Sequence, residues 1–145
     1  MLKILALAVL IYGVLCVYVY ARQRSLLYFP TPEAASPVGE VVSVPVSGAV
    51  LKLLVVRRPG AAAALYFGGN AESVAASAGE FAAATPDRTW VFVNYRGYGG
   101  STGSPSEQAL VSDALALWDW LRTQHTDIAE VGRSLGSGVA VQLAA

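Results

Sequence analysis

From Ala62 onward the chain alternates, without any internal sequence repeat, between three short apolar runs and three helix-favouring stretches, each run leading to its stretch through a turn containing glycine or proline. The apolar runs are Ala62 to Phe67, Thr89 to Asn94 and Ile128 to Val131; the helical stretches are Glu72 to Ala84, Ser106 to about Thr123, and Leu135 to Ala145. Strands that are apolar throughout, and not alternating, are buried on both faces. Separated by helices, they predict a parallel sheet with a helix layer on each side. In the second helix Leu110, Ala114, Leu117, Trp118 and Leu121 recur at three- and four-residue spacing, which makes one apolar face to lay on the sheet. Ahead of these units, Val41 to Val46 and Val50 to Arg57 are rich in β-branched residues and flank Ser47 and Gly48, which predicts a hairpin.

The start of the chain obeys a different rule. Ile4 to Ala21 is almost wholly apolar, and a helix of about 18 such residues reaches across a bilayer core. Lys3 precedes it, Arg22 and Arg24 follow it, and Tyr18 and Tyr20 sit where ring-bearing side chains favour the headgroup region. This predicts a single-pass membrane anchor whose orientation the few flanking charges do not decide. A cleaved signal peptide is the second reading, with Val19 and Ala21 as the small residues before the cut. Pro30, Pro32 and Pro37 then predict an extended linker. The organisation expected is an anchor or signal segment over 1–23, a linker over 24–38 and a folded domain over 39–145.

Residue supply excludes several function classes. Ten basic residues balance ten acidic ones without a Lys/Arg run, so no face offers the many phosphate contacts that nucleic-acid binding requires. One cysteine, Cys16, and one histidine, His125, cannot build a disulfide, a multi-thiolate zinc site or a two-histidine metal centre. No metal and no other cofactor is expected.

The pattern GxSxG occurs twice, at Gly99 to Gly103 and at Gly132 to Gly136. A nucleophile elbow needs a strand running into the motif and a helix leaving it at once, so that the serine sits on a strained turn with its hydroxyl exposed. Ser101 lies in a loop that still contains Gly103 and Pro105, and it reads as loop structure. Ser134 follows a strand and opens a helix. Gly132 and Gly136 supply the side-chain-free positions that such a tight turn requires. An ordinary helix N-cap is the competing reading of Ser134. A glycine-rich nucleotide-binding turn is a poor fit, because Val141 stands where the third small residue of GxGxxG belongs.

Three stretches, LYFGGNAES (Leu65 to Ser73), NYRGYGGSTGSPS (Asn94 to Ser106) and VGRSLGSGVA (Val131 to Ala140), occur in an order and spacing that resembles membrane-anchored bacterial α/β-hydrolases akin to serine-aminopeptidase-like hydrolases. The resemblance covers about Leu26 to Ala145, including the YFPTPE stretch. It implies the α/β-hydrolase fold, with a three-layer, mostly parallel sheet, ending here just after the nucleophile elbow and preceded by the membrane helix. It further implies a Ser134 nucleophile that attacks an ester, thioester or amide. The oxyanion hole would be formed by the backbone N–H of Leu135 and that of Asn70 or Ala71. Many relatives carry histidine at the position of Gly68. The substrate implied is a small-molecule or lipid-like acyl compound, and the location a bacterial inner membrane.

The acid and base of the triad should follow the serine in the chain. His125 precedes it and is read as a charge at a helix end or a solvated loop residue. Asp113 and Asp119 are read as solvated or capping, and Arg96 and Arg133 chiefly as braces. Glu130 is anomalous in a central strand, and is read either as paired with a nearby arginine or as the mark of a sequence no longer under selection. As it stands the chain is expected to be inactive alone, either a fragment of a hydrolase or a truncated, non-catalytic remnant with an interaction role.

Overall fold

The computed structural model describes all residues from Met1 to Ala145. Helix α1 (Leu2–Leu27) is followed by an extended stretch, then by β1 (Glu40–Val46), β2 (Ala49–Val56), β3 (Ala62–Phe67), α2 (Val74–Ala84), β4 (Thr89–Val93), α3 (Glu107–Leu121), β5 (Asp127–Gly132) and α4 (Leu135–Leu143).

The five strands form one sheet in the order β1-β2-β4-β3-β5. β1 and β2 pair antiparallel around Ser47 and Gly48, where Gly48 takes φ 74°, a conformation that glycine adopts without penalty. β2 is antiparallel to β4, whereas β3 runs parallel to both β4 and β5. The expected parallel sheet is therefore the β4-β3-β5 half, and the hairpin extends it in mixed sense. Leu65 and Val91 are fully buried, as continuous apolar strands require.

Helices cover both faces, which gives the three layers. On one face Val74, Ala78 and Ala82 of α2 meet Tyr66, Trp90 and Phe92. On the other, Leu110, Ala114, Leu117 and Leu121 of α3 and Val139 of α4 meet Leu51, Leu53, Leu65 and Val93. Of the α3 residues at three- and four-residue spacing, Leu110, Ala114, Leu117 and Leu121 are the buried stripe, while Trp118 is only half-buried. Ser106 caps this helix by accepting from the Ala109 N–H at 3.2 Å.

Helix α1 extends past the apolar run, through Arg22, Gln23, Arg24 and Ser25 to Leu27. Nothing in that stretch breaks a helix before Pro30, so the first residues of the expected linker are helical. None of its residues is buried, and by length and composition α1 is apolar enough to cross a membrane.

Strand β5 lies at the sheet edge, where Glu130 is half-buried and forms no ion pair. The arginine pairing considered for it is not formed. Asp113 departs from its solvated reading too. It is buried and receives both Nε and Nη2 of Arg96 at 2.7 Å. Arg96 also donates to the Ser47 carbonyl at 2.7 Å, so the pair ties the loop after β4 to α3 and to the hairpin turn. Asp119, by contrast, is exposed beside Arg122.

Candidate active site

The chain order reverses across β3: β4 lies on one side of it and β5 on the other. In such a sheet the crevice forms at the carboxyl ends of the strands where the order reverses. Here that is the junction of Phe67 with its register partner Gly132. The loop leaving β3 and the turn leaving β5 must therefore be neighbours.

Ser134 occupies that turn with φ 50° and ψ −112°, is exposed, and makes no side-chain capping bond to α4. A non-glycine residue at positive φ costs on the order of 1–3 kcal/mol, which the packing around it must hold in place. The N-cap reading fails on this geometry, because a capping serine has extended backbone and accepts from the first helical turn. Gly132 and Gly136 explain how the turn is held. A Cβ on Gly132 would stand 2.6 Å from the Cα of Ser137, and one on Gly136 would overlap the carbonyl oxygen of Phe67. The N–H of Leu135 has no acceptor within the chain, since the backbone bonds at this turn start at Gly136 and Ser137.

Across the crevice, a Cβ on Gly69 would lie 3.7 Å from the Cβ of Ser134. Ala71 also has positive φ, 61°. The N–H groups of Asn70 and Ala71 are without intramolecular acceptors, whereas that of Gly69 donates to Glu72 Oε2 at 2.6 Å. The structure thus brings Ser134, Leu135, Asn70, Ala71, Gly132 and Gly136 to one end of the sheet.

Glu72 was read as merely the start of a helix, yet its carboxylate organises this loop. Oε1 accepts from Tyr66 Oη and Ser77 Oγ, both at 2.8 Å, and Arg133 Nη1 stands 3.8 Å from Oε2. Burial pushes the carboxyl pKa up, but the bonds from Gly69, Ser77 and Tyr66 and the Arg133 charge outweigh it, leaving the group below its ordinary value. Burial first, and the Glu72 bond second, push Tyr66 up to about 12. Tyr95 donates to the Gly68 carbonyl at 2.8 Å, and burial holds its phenol far above the usual range. A Cβ on Gly68 would stand 3.0 Å from Val74 Cγ1 and 3.4 Å from the Glu72 carboxyl carbon. The space of a side chain at that position is accordingly occupied by Glu72 and its neighbours. The spacing of Gly69 and Glu72, three apart as in a capping box, was the available sequence signal.

The side chain of Asn70 faces the chain emerging from α1. Its Nδ2 donates to the Leu27 carbonyl at 2.6 Å, and its Oδ1 accepts from Phe29 N–H at 2.9 Å and from Tyr98 Oη at 2.7 Å. Beside Leu135 lies a cleft of about 230 Å³ lined by Tyr28, Leu110, Val111 and Val139 among others. Tyr28 also borders a cleft of about 550 Å³ with Arg24, Ser25, Phe29 and Pro105.

Ser101 and His125 lie elsewhere. Ser101 is buried, donates to the Asn94 carbonyl at 2.9 Å and accepts from Lys52 N–H at 2.8 Å. His125 precedes the opposite end of β5, roughly 20 Å from Ser134 at the usual rise per strand residue. It sits just past the end of α3, its N–H bonded to the Leu121 carbonyl at 3.0 Å, and is half-buried with Nδ1 lacking a partner, so of its two readings the helix end fits and the solvated one does not.

No protein-family model matches the chain. An uncharacterized protein of Mycobacterium tuberculosis is 35% identical over 162 residues, an alignment that takes in 99% of this chain. The chain spans only 56% of the length of that relative. Lysophosphatidylserine lipase ABHD12 of Gallus gallus is 46% identical over 55 residues, 37% of this chain and 14% of that one. An esterase of Pyrococcus furiosus superposes with TM-score 0.61 at 17% identity, over 79% of this chain and 52% of the other. Epoxide hydrolase A of Mycobacterium thermoresistibile superposes with TM-score 0.60 at 22% identity, over 72% and 34%. By its strand order and by these matches, the chain belongs to the α/β-hydrolase fold.

Proposed function

We propose that this chain carries the nucleophile half of a membrane-anchored serine hydrolase that cleaves an ester, thioester or amide of a small, lipid-like acyl substrate. The observation that carries the reading is the exposed Ser134 at φ 50° between β5 and α4, facing the loop after β3. In the first step Ser134 Oγ bonds to the acyl carbon as its proton passes to a general base. The negative charge on the carbonyl oxygen is met by the N–H of Leu135 and by that of Asn70 or Ala71. The carbonyl re-forms, the bond to the leaving group breaks, and the leaving group takes up the proton. Water then releases the acyl group by the same path.

His125 stands beyond the opposite end of β5, out of reach of Ser134, and is not the base in this reading. The membrane location rests on α1, and the lipid-like substrate on three features: the apolar cleft beside Leu135, the Tyr28 wall it shares with the cleft at the end of α1, and the partial likeness to a lysophosphatidylserine lipase.

The test uses the full-length protein and a fluorophosphonate probe, which phosphonylates, with loss of fluoride, only an activated serine beside a working oxyanion hole. Labelling is expected; Ser134→Ala abolishes it, whereas Ser101→Ala and His125→Ala leave it. Loss of label in Ser101→Ala with retention in Ser134→Ala would overturn the assignment.

A further inference from the structure

We infer that Glu72 is a positioning residue for the Ser134 site, holding the loop after β3 in the shape that presents the Asn70 and Ala71 N–H groups to the reacting carbonyl. The inference rests on the serine-hydrolase reading above. Four segments converge on this one carboxylate: Tyr66 from β3, Gly69 from the loop, Ser77 from α2, and Arg133 from the turn that bears Ser134. Its side chain is only 11% exposed, so the bonds from Tyr66, Gly69 and Ser77 are shielded, while Arg133, itself 65% exposed, adds a longer contact at 3.8 Å.

The bond to Gly69 is reciprocated. Gly69 N–H donates to Glu72 Oε2, and Glu72 N–H donates back to the Gly69 carbonyl at 3.2 Å. This closed ring fixes the Gly69 peptide and consumes its N–H. The next two N–H groups are thereby left as the ones without acceptors, next to Ser134. Without the carboxylate, Gly69 N–H loses its only acceptor and its peptide is held only through the Gly68 carbonyl by Tyr95, so the loop beyond it is less firmly placed. Arg133 loses its counter-charge in the same event.

In the full-length protein, Glu72→Ala is expected to lower kcat on a short-chain p-nitrophenyl ester by about 10- to 100-fold, the scale of a small misplacement of oxyanion donors, while KM changes by less than about 3-fold. Glu72→Gln keeps a carbonyl oxygen for Gly69 N–H and is expected to recover kcat to within about 3-fold of wild type. The rate of fluorophosphonate labelling falls and recovers in parallel. If Glu72→Ala does not fold, the double variant Tyr66→Phe, Ser77→Ala serves, since it loosens the carboxylate without removing it; a lower kcat at unchanged KM is again expected. A wild-type kcat in Glu72→Ala, or in the double variant, with Ser134→Ala inactive, would overturn the role of Glu72 alone. Activity surviving in Ser134→Ala would instead overturn the parent reading.

Discussion

A methyl group on Gly136 would overlap the carbonyl oxygen of Phe67, so α4 leaves its turn pressed against the end of β3 with no room for a side chain. Gly136→Ala gains helix propensity but forces these two backbones apart. A net loss of about 1–3 kcal/mol is expected from the overpacking, with a displaced Ser134 and slower fluorophosphonate labelling. Urea unfolding of the full-length protein measures the first and labelling kinetics the second. A wild-type midpoint would show that α4 is not so close.

The two serines of the repeated GxSxG pattern should separate cleanly. Ser101 satisfies both the Lys52 N–H and the Asn94 carbonyl, and its removal leaves both half-buried groups short of a partner. Ser101→Ala is expected to cost about 1–3 kcal/mol while labelling persists at temperatures below its melting point. An unchanged melting temperature would count against this structural role.

Asp113 and Arg96 form a pair with side chains 7% and 14% exposed. Asp113→Ala strands the guanidinium among the loop after β4, α3 and the hairpin turn, and a loss of about 3–5 kcal/mol is expected. Replacing both residues by apolar ones should cost less than the single change; a double variant no better than the single one would mean that the pair is not the source of the loss.

What could be read from residue order alone follows from period and punctuation. β3, α2 and the Ser134 turn are punctuated by glycine or proline, β4 is marked by its continuous apolar run and α3 by its three- and four-residue spacing, because local geometry at those places is decided by a few neighbouring residues. The burial of Asp113, the bracing by Glu72 and the grip of Asn70 on Leu27 and Phe29 were not legible. Asp113 meets Arg96 17 residues away and Asn70 meets Leu27 and Phe29 more than 40 away, whereas Glu72 draws on Tyr66, Gly69 and Ser77 close by and only on Arg133 at a distance. Glu130 misled for the matching reason: a strand's burial depends on what pairs beside it, which its own residues do not record.

Tyr66 makes a pH dependence that can be checked. Its folded pKa is raised from the ordinary value of 10.0 to about 12 by burial and by the bond to Glu72. Between those values the unfolded chain has released the proton and the folded one still holds it. The stabilisation is therefore complete below the lower value and is lost as pH rises through the upper one. The urea midpoint should fall across this window, and Tyr66→Phe should reduce the slope by about one proton. Identical slopes for the two proteins would dismiss Tyr66 as the titrating group.

Helix α1 touches the folded part at its C-terminal end, where Asn70 bridges Leu27 and Phe29, and it buries none of its own residues. Its apolar surface and its junction are consequently separable. If α1 is the anchor, the full-length protein sediments with membranes and resists carbonate extraction, and a version beginning at Arg24 loses both properties while keeping the Leu27 and Phe29 contacts. Asn70→Ala removes the hydrogen bonds at the junction but none of the apolar surface, so membrane retention should be unchanged even where catalysis suffers. Release of the Asn70→Ala variant from membranes would mean that the junction, and not the apolar length of α1, holds the protein there. A mature amino terminus beginning just after Ala21 would instead identify the segment as a cleaved signal, since the residues that span the bilayer would then be gone.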